Sequence, residues 1–496
     1  MGCRGPVSRP VKATPINGER HRSEPNTGRT DGWLPALEGL RAVAVLGVLV
    51  HHVSFLSGLT NSYGRFGDVL ARLDVGIAIF FALSAFLLYR PFARAAIHSQ
   101  PQPPVRAYLW HRAVRILPGY WAMAVVALTW LNIDYLRSLW DWAIPLLLVH
   151  IYQPLRLPVG MEQTWSLATE ATFYLALPVI AVLGRHLGGR NPLARARRQL
   201  ALGIALVVAG LVWNVYAHGQ NAPLPGLSWL WLPAFLDWFG IGIMLAVLAS
   251  WPPSTSSSPF LPELAMNGSD RREEDLWSAT PRGLRVLTFA PGTSWLIAGA
   301  LLWIASTPIA GPRGLEPATP VESVTEHLLF LLITWCVIAP LVGRGSGGVP
   351  RALLLQPLVR FLGRISYGIF LWHILALEAC FRLLGLTRMH SSFWVVLALT
   401  LALTIPAATA SYYLIERPMQ RLRRFLERRA AGRGPGAAPA VRAETPTRVP
   451  VPQAAASGPA EHPTLPARLV LPADPSGTQH QGGDSDEKQG RREHGE

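Results

Sequence analysis

An apolar stretch that carries charge constrains this chain more than any other feature in it. Residues 34–58, LPALEGLRAVAVLGVLVHHVSFLSG, are long enough to cross a bilayer core of about 30 Å, yet they contain Glu38, Arg41, His51 and His52. An ionisable side chain at the centre of a membrane helix costs about 2.5–3.5 kcal/mol on insertion scales, so such groups point to a functional site. At about 100° per residue, Glu38, Arg41 and His52 share one helix face and His51 points about 100° away. A rise of about 1.5 Å per residue separates Arg41 from His52 by roughly 16 Å in depth. One reading makes Glu38 and Arg41 a neutralising pair at the membrane edge and His52 an interhelical hydrogen bonder. The other makes all three line a working site.

The rest of the chain repeats the apolar theme. Half of its 496 residues are hydrophobic and 18 are Trp, and the mean hydropathy of +0.26 is that of a polytopic membrane protein. A formal charge of +15 does not imply nucleic acid, because the basic residues lie between apolar runs, where they set topology. Apolar runs near 34–58, 75–89, 116–131, 165–184, 200–217, 229–250, 294–308, 324–343, 361–384 and 393–415 predict an all-α integral membrane protein with about ten transmembrane helices and both termini cytoplasmic. This parity puts the basic segments 90–115 and 185–198 inside the cell; it requires 143–152, too short to span, to be re-entrant or interfacial. Residues 1–33 read as a disordered cytoplasmic leader, 34–418 as the membrane domain, 251–293 as a flexible cytoplasmic insertion within it, and 419–496 as a basic and then disordered tail. Three scattered cysteines offer neither a disulfide framework nor a metal site, and no metal-ligand cluster or G-x-S-x-G elbow is present.

Several motifs carry candidate chemistry. Arg112 and Arg115 sit three residues apart on one face at the start of the third span, suited to gripping phosphates; a positive-inside stop would look the same. In Trp165-Ser166-Leu167-Ala168-Thr169-Glu170, Glu170 falls one turn into a helix at the outer membrane edge, which sets it at a depth comparable with His52. A carboxylate there can orient a histidine base or simply complement the helix N-terminus. Ser366, Tyr367 and His373 lie on one later span, where His373 positions substrate or bonds a neighbouring backbone. Ala85, in Phe80-Phe81-Ala82-Leu83-Ser84-Ala85-Phe86-Leu87, is a small residue suited to close helix packing, and Pro418 in Glu416-Arg417-Pro418 is expected to end the last helix.

These motifs, in this order, resemble those of membrane acyltransferase family 3. Leu37-Glu38-Gly39-Leu40-Arg41 followed by His52 is similar to the family's L-D-G-L-R and His, with Glu for Asp. The Phe80 to Leu87 stretch matches F-F-x-L-S-G-F-L with Ala85 for Gly. Arg112 and Arg115 match R-x-x-R, Trp165 to Tyr174 matches W-S-L-x-x-E-x-x-F-Y, and Ser366 to His373 matches S-Y-x-x-Y-L-x-H with Phe370 for Tyr. The resemblance implies a bacterial, multi-pass plasma-membrane O-acyltransferase (EC 2.3.1.-) without the fused hydrolase-like SGNH domain that some relatives carry. It implies an acyl-CoA donor, acetyl-CoA above all, no tightly bound cofactor, no metal and no nucleic acid. Its partners would be membrane lipid and a hydroxyl-bearing glycan, lipid-linked sugar or macrolide-type secondary metabolite. In that reading His52 is the general base oriented by Glu170, and Arg41 and Glu38 line the route. Arg112 and Arg115 hold the CoA phosphates, while His373, Tyr367, Ser366 and Trp165 contact substrate. The alternative is a transporter or flippase in which the same intramembrane His, Arg and Glu form a proton relay.

Overall fold

A computed structural model describes residues 2, 35–61, 64–153, 157–219, 227–251, 291–313, 316–342 and 348–431. The expected leader, most of the insertion and the tail beyond 431 lie outside the described residues. All regular structure among the described residues is helical. The helices are α1 (Pro35–Ser57), α2 (Arg65–Ala71), α3 (Val75–Ile97), α4 (Val105–Leu131), α5 (Leu139–Leu146), α6 (Thr164–His186), α7 (Pro192–Ala217) and α8 (Leu236–Leu248). They continue with α9 (Pro291–Ala305), α10 (Pro320–Val342), α11 (Gly348–Leu354), α12 (Pro357–Arg364), α13 (Ser366–Leu383), α14 (Phe393–Ser411) and α15 (Arg417–Ala431).

By length and composition, seven helices among the described residues suffice to cross a membrane: α1, α3 with α2, α4, α6, α7, α10 and α14 with its continuation. The pair α12 and α13, bent by 71°, makes an eighth if counted as one span. The shorter apolar helices Leu232–Leu248 and Pro291–Ala305 occupy the two remaining positions at which the sequence predicts spans. The chain is thus a multi-pass integral membrane protein. Residues 143–152 form no span: α5 covers only eight residues before a 3₁₀ turn, His150–Tyr152, and eight residues reach about 12 Å.

Small residues set the tightest contacts. Ala85 is fully buried, and it faces Gly242 of α8 so closely that a Cβ added there would strike Ala85 and the Ala82 carbonyl. The second small residue that the Phe80 to Leu87 motif needs is therefore supplied by α8. Around this contact Phe81 and Phe173 each stack on Phe239, with ring centroids 4.5 and 4.0 Å apart. On another face of α1, Gly363 of α12 lies against the Glu38 backbone, where no side chain would fit.

Two features depart from expectation. Pro418 does not end the last helix: a π-helical turn, Tyr412–Glu416, follows α14, and α15 runs on to Ala431. The wide turn loosens the backbone where the Pro ring would clash with the carbonyl four residues back, so Pro418 sits in the first turn of α15, where Pro is tolerated. The second departure is a buried ionic clamp. Arg72, at the α2–α3 corner, donates to the carbonyls of Ala305, Ala310 and Gly311 at 3.0, 2.9 and 2.7 Å and to Glu326 at 2.5 Å. With the Arg313–Asp68 ion pair, it ties the α9–α10 connection to α2.

Candidate active site

Two cavities meet along α1. The larger, of about 490 Å³, is a vestibule whose wall includes Glu38, Arg41, Arg90, Arg94, Arg115 and Arg364. Glu416 and Gln420 complete its rim from the π turn and α15. The smaller, of about 70 Å³, lies deeper and shares Arg41 and Arg115 with the vestibule. Arg112, Glu170, Tyr174, Ser84, Ser166 and Ser366 surround it, and Val48 and Phe370 line it too. One helical turn beyond Val48 stands His52, and three residues beyond Phe370 stands His373.

The inner cavity is rich in cation. Arg41 and Arg112 each keep a buried Nε with no hydrogen-bond partner. A buried guanidinium N–H left unsatisfied is costly, so the two half-buried side chains are suited to an anionic or strongly polarised ligand. Glu38 does not neutralise Arg41; its carboxylate lies 3.5 Å from Arg360 on α12. Glu170 accepts a short hydrogen bond from Ser84 on α3.

The histidines form a separate station. His52 donates from Nδ1 to the Val48 carbonyl at 2.8 Å, and His373 donates from Nδ1 to the Phe370 carbonyl at 2.8 Å. A carbonyl only accepts, so both rings carry their proton on Nδ1 when neutral. His373 Nε2 then faces His52 Nδ1 at 3.4 Å, with ring centroids 5.1 Å apart. Among the described residues His52 Nε2 has no hydrogen-bond partner, which leaves its lone pair available as a base. His51 turns away and bonds the Ala71 carbonyl at 2.8 Å.

Glu170 does not orient His52. Gln163, just before α6, donates to the Leu371 carbonyl at 2.8 Å, two residues from His373, so α6 starts at the level of the histidine pair. Glu170 lies seven residues on, about 10 Å deeper. The depth expected from sequence is wrong because the segment before α6 is itself buried: Met161, Gln163 and Thr164 are all inside the bundle. Three other expected contacts are placed as follows. Tyr367 lines the inner cavity, and its hydroxyl donates to the Ile116 carbonyl at 2.8 Å. Trp165 packs its ring on Phe81 and Phe235, at 6.5 and 5.2 Å, while the neighbouring Ser166 reaches the cavity. Arg112 faces the inner cavity, whereas Arg115 bridges both.

Sequence reasoning missed Arg90, Arg94, Arg364, Ser84 and Glu416. The first two were read only as topology signals and Glu416 only as part of a helix stop, although their density at one helix end could have marked a mouth. Among the described residues no cluster of His, Cys, Asp and Glu could hold a metal ion.

A family profile described as an acyltransferase domain matches residues 34–413. The chain belongs to membrane acyltransferase family 3. The chain is 24% identical over 409 residues to YrhL of Bacillus subtilis (strain 168), provisionally named a peptidoglycan O-acetyltransferase, with 78% of this chain and 55% of that protein covered. It is 23% identical over 406 residues to the peptidoglycan O-acetyltransferase OatA of Listeria monocytogenes serovar 1/2a, with 78% and 56% covered. The chain therefore spans about half the length of these relatives. No solved structure matches it.

Proposed function

We propose that this acyltransferase moves an acetyl group from acyl-CoA, bound at the arginine-rich end, to a hydroxyl of a glycan reached at the opposite end. The observation that carries this reading is that the vestibule and the inner cavity share Arg41 and Arg115, and that the inner cavity reaches Val48, one turn from His52 on the same face of α1. The names of the relatives support acetyl as the group and a peptidoglycan-like glycan as the acceptor.

In this mechanism the CoA phosphates sit in the vestibule against Arg115, Arg90, Arg94 and Arg364, each able to pair with phosphate oxygens. The pantetheine arm runs inward past Arg41 and Arg112 and brings the thioester to the histidine station. His52 Nε2 takes the proton of the acceptor hydroxyl, the oxygen attacks the thioester carbonyl, and the C–S bond breaks. The departing thiolate recovers the proton from His52 as free CoA thiol, so the ring returns to its neutral form. His373 holds the His52 ring in register, and Arg41 and Arg112 offset negative charge along the arm.

The test follows labelled acetyl-CoA in membranes containing wild type or His52→Ala at equal abundance. Wild type should release CoA thiol and label a glycan fraction, and the variant should do neither. Equal label transfer by the variant would remove His52 as the base, and substrate movement without CoA release would favour the transport reading.

A further inference from the structure

The last described helix is divided lengthwise into three faces. Taking 100° per residue, Gln420, Arg423 and Glu427 of α15 share one sector. Glu427 lies 2.7 Å from His111 of α4 and 3.5 Å from Arg423, so this sector faces the bundle. A second sector carries Leu422, Phe425 and Leu426, each about half exposed. A third carries Arg417, Arg421, Arg424 and Arg428, all exposed. The helix holds six arginines against the single Glu427, whose carboxylate is already engaged. Arg429 lies over the Phe425 ring, 4.5 Å from its centroid.

Apolar and cationic faces side by side, on a helix that continues directly from a membrane span, match the boundary between acyl chains and headgroups. Water would leave the leucines and phenylalanine uncovered, and the hydrocarbon core would strand the arginines. The strong positive balance selects negative headgroups over zwitterionic ones. We infer that α15 is a binding site for anionic phospholipid, with Arg417, Arg421, Arg424 and Arg428 on the headgroups and Leu422, Phe425 and Leu426 among the upper acyl chains. Glu416, immediately before this helix, and Gln420 in its first turns line the vestibule, so lipid that holds α15 also holds one wall of that cavity. That second step rests on the donor site proposed above; the lipid site itself does not.

The full chain is reconstituted in nanodiscs of phosphatidylcholine with added phosphatidylglycerol, as wild type, as R417Q/R421Q/R424Q/R428Q and as the matching fourfold Lys variant. Retained lipid is identified by mass spectrometry, and backbone hydrogen exchange is followed across 417–431. Wild type should enrich phosphatidylglycerol and show slowed exchange; each arginine lost should weaken the preference about fivefold, equivalent to about 1 kcal/mol. The Lys variant should retain most of it. Equal enrichment in wild type and the Gln variant overturns the lipid site, and a Lys variant that behaves like Gln assigns the loss to structure rather than charge, which overturns it as well. The coupling is read as donor KM, several-fold lower for wild type with phosphatidylglycerol than with phosphatidylcholine alone; an unchanged KM removes the coupling. Wild type that enriches the lipid but releases no CoA would sink the catalytic reading alone.

Discussion

Two imidazoles with protons fixed on Nδ1 leave His52 Nε2 free to act as the base in the proposed mechanism. The Val48 and Phe370 carbonyls are one turn back on the same helices as the rings they hold, so the tautomer is built into α1 and α13 themselves. General-base help is worth about 10²–10⁴ in rate, so His52→Ala should lower the rate of CoA release by at least that lower bound with little change in donor KM. His373→Ala should cost less, because Val48 still holds the tautomer. The two arginine groups should separate kinetically. Arg364→Gln in the vestibule should raise donor KM several-fold and spare kcat, whereas Arg112→Gln should lower kcat; steady-state kinetics with acetyl-CoA distinguishes them. That His52, Arg41 and Arg112 would lie inside the bundle, at or beside the cavities, was legible in the sequence, because charge within apolar runs marks itself. Their grouping was not. Glu170 was placed beside His52 by counting from a helix start, and the count failed because that start is buried under Met161 and Gln163.

At the scale of elements, the helices were readable from apolar length, while the breaks in them were not. The turn at Tyr412–Glu416 depends on how α14 packs, and a Pro two residues into a new helix reads locally as a stop. Two contacts give element-level tests. Gly242→Leu should force α8 away from α3 at Ala82 and Ala85, with a loss of about 1–3 kcal/mol read as a lower melting temperature in detergent. The segment before α6 should respond to pH through Glu162, whose carboxyl is pushed up to about 7 by burial, with the nearby Glu378 adding to the rise. A raised acid favours the protonated form in the fold. Its stabilising contribution is therefore full below the ordinary carboxylate range and is lost as pH climbs through about 7. Glu162→Gln should flatten the melting temperature across that window; an unaltered pH profile would mean the carboxyl does not titrate there.

For the whole molecule, the sequence yielded an all-helical multi-pass chain and its family, because both are written in runs and motifs. The clamp centred on Arg72 was invisible, since its acceptors are backbone carbonyls more than two hundred residues away. Arg72→Met would leave the Ala305, Ala310 and Gly311 carbonyls without their donor and the half-buried Glu326 without its cation, at about 1–3 kcal/mol for each buried acceptor left unsatisfied, and should lower the yield of folded protein in detergent while Arg313→Gln does so less. Sidedness offers a test at the same scale: sealed inside-out vesicles should consume added acetyl-CoA, and right-side-out vesicles should do so only after permeabilisation.

Val48 and Phe370, which line the inner cavity and whose carbonyls hold the two histidines, have a further consequence. A protein that admitted a charged donor at one face and worked near the other, as proposed, would come close to being a pore, and a cell that depends on its ion gradients cannot tolerate an open one. In the proposed mechanism these two side chains would serve as the insulation: apolar surface that the slender arm of a donor would have to part and that hydrated ions would not cross.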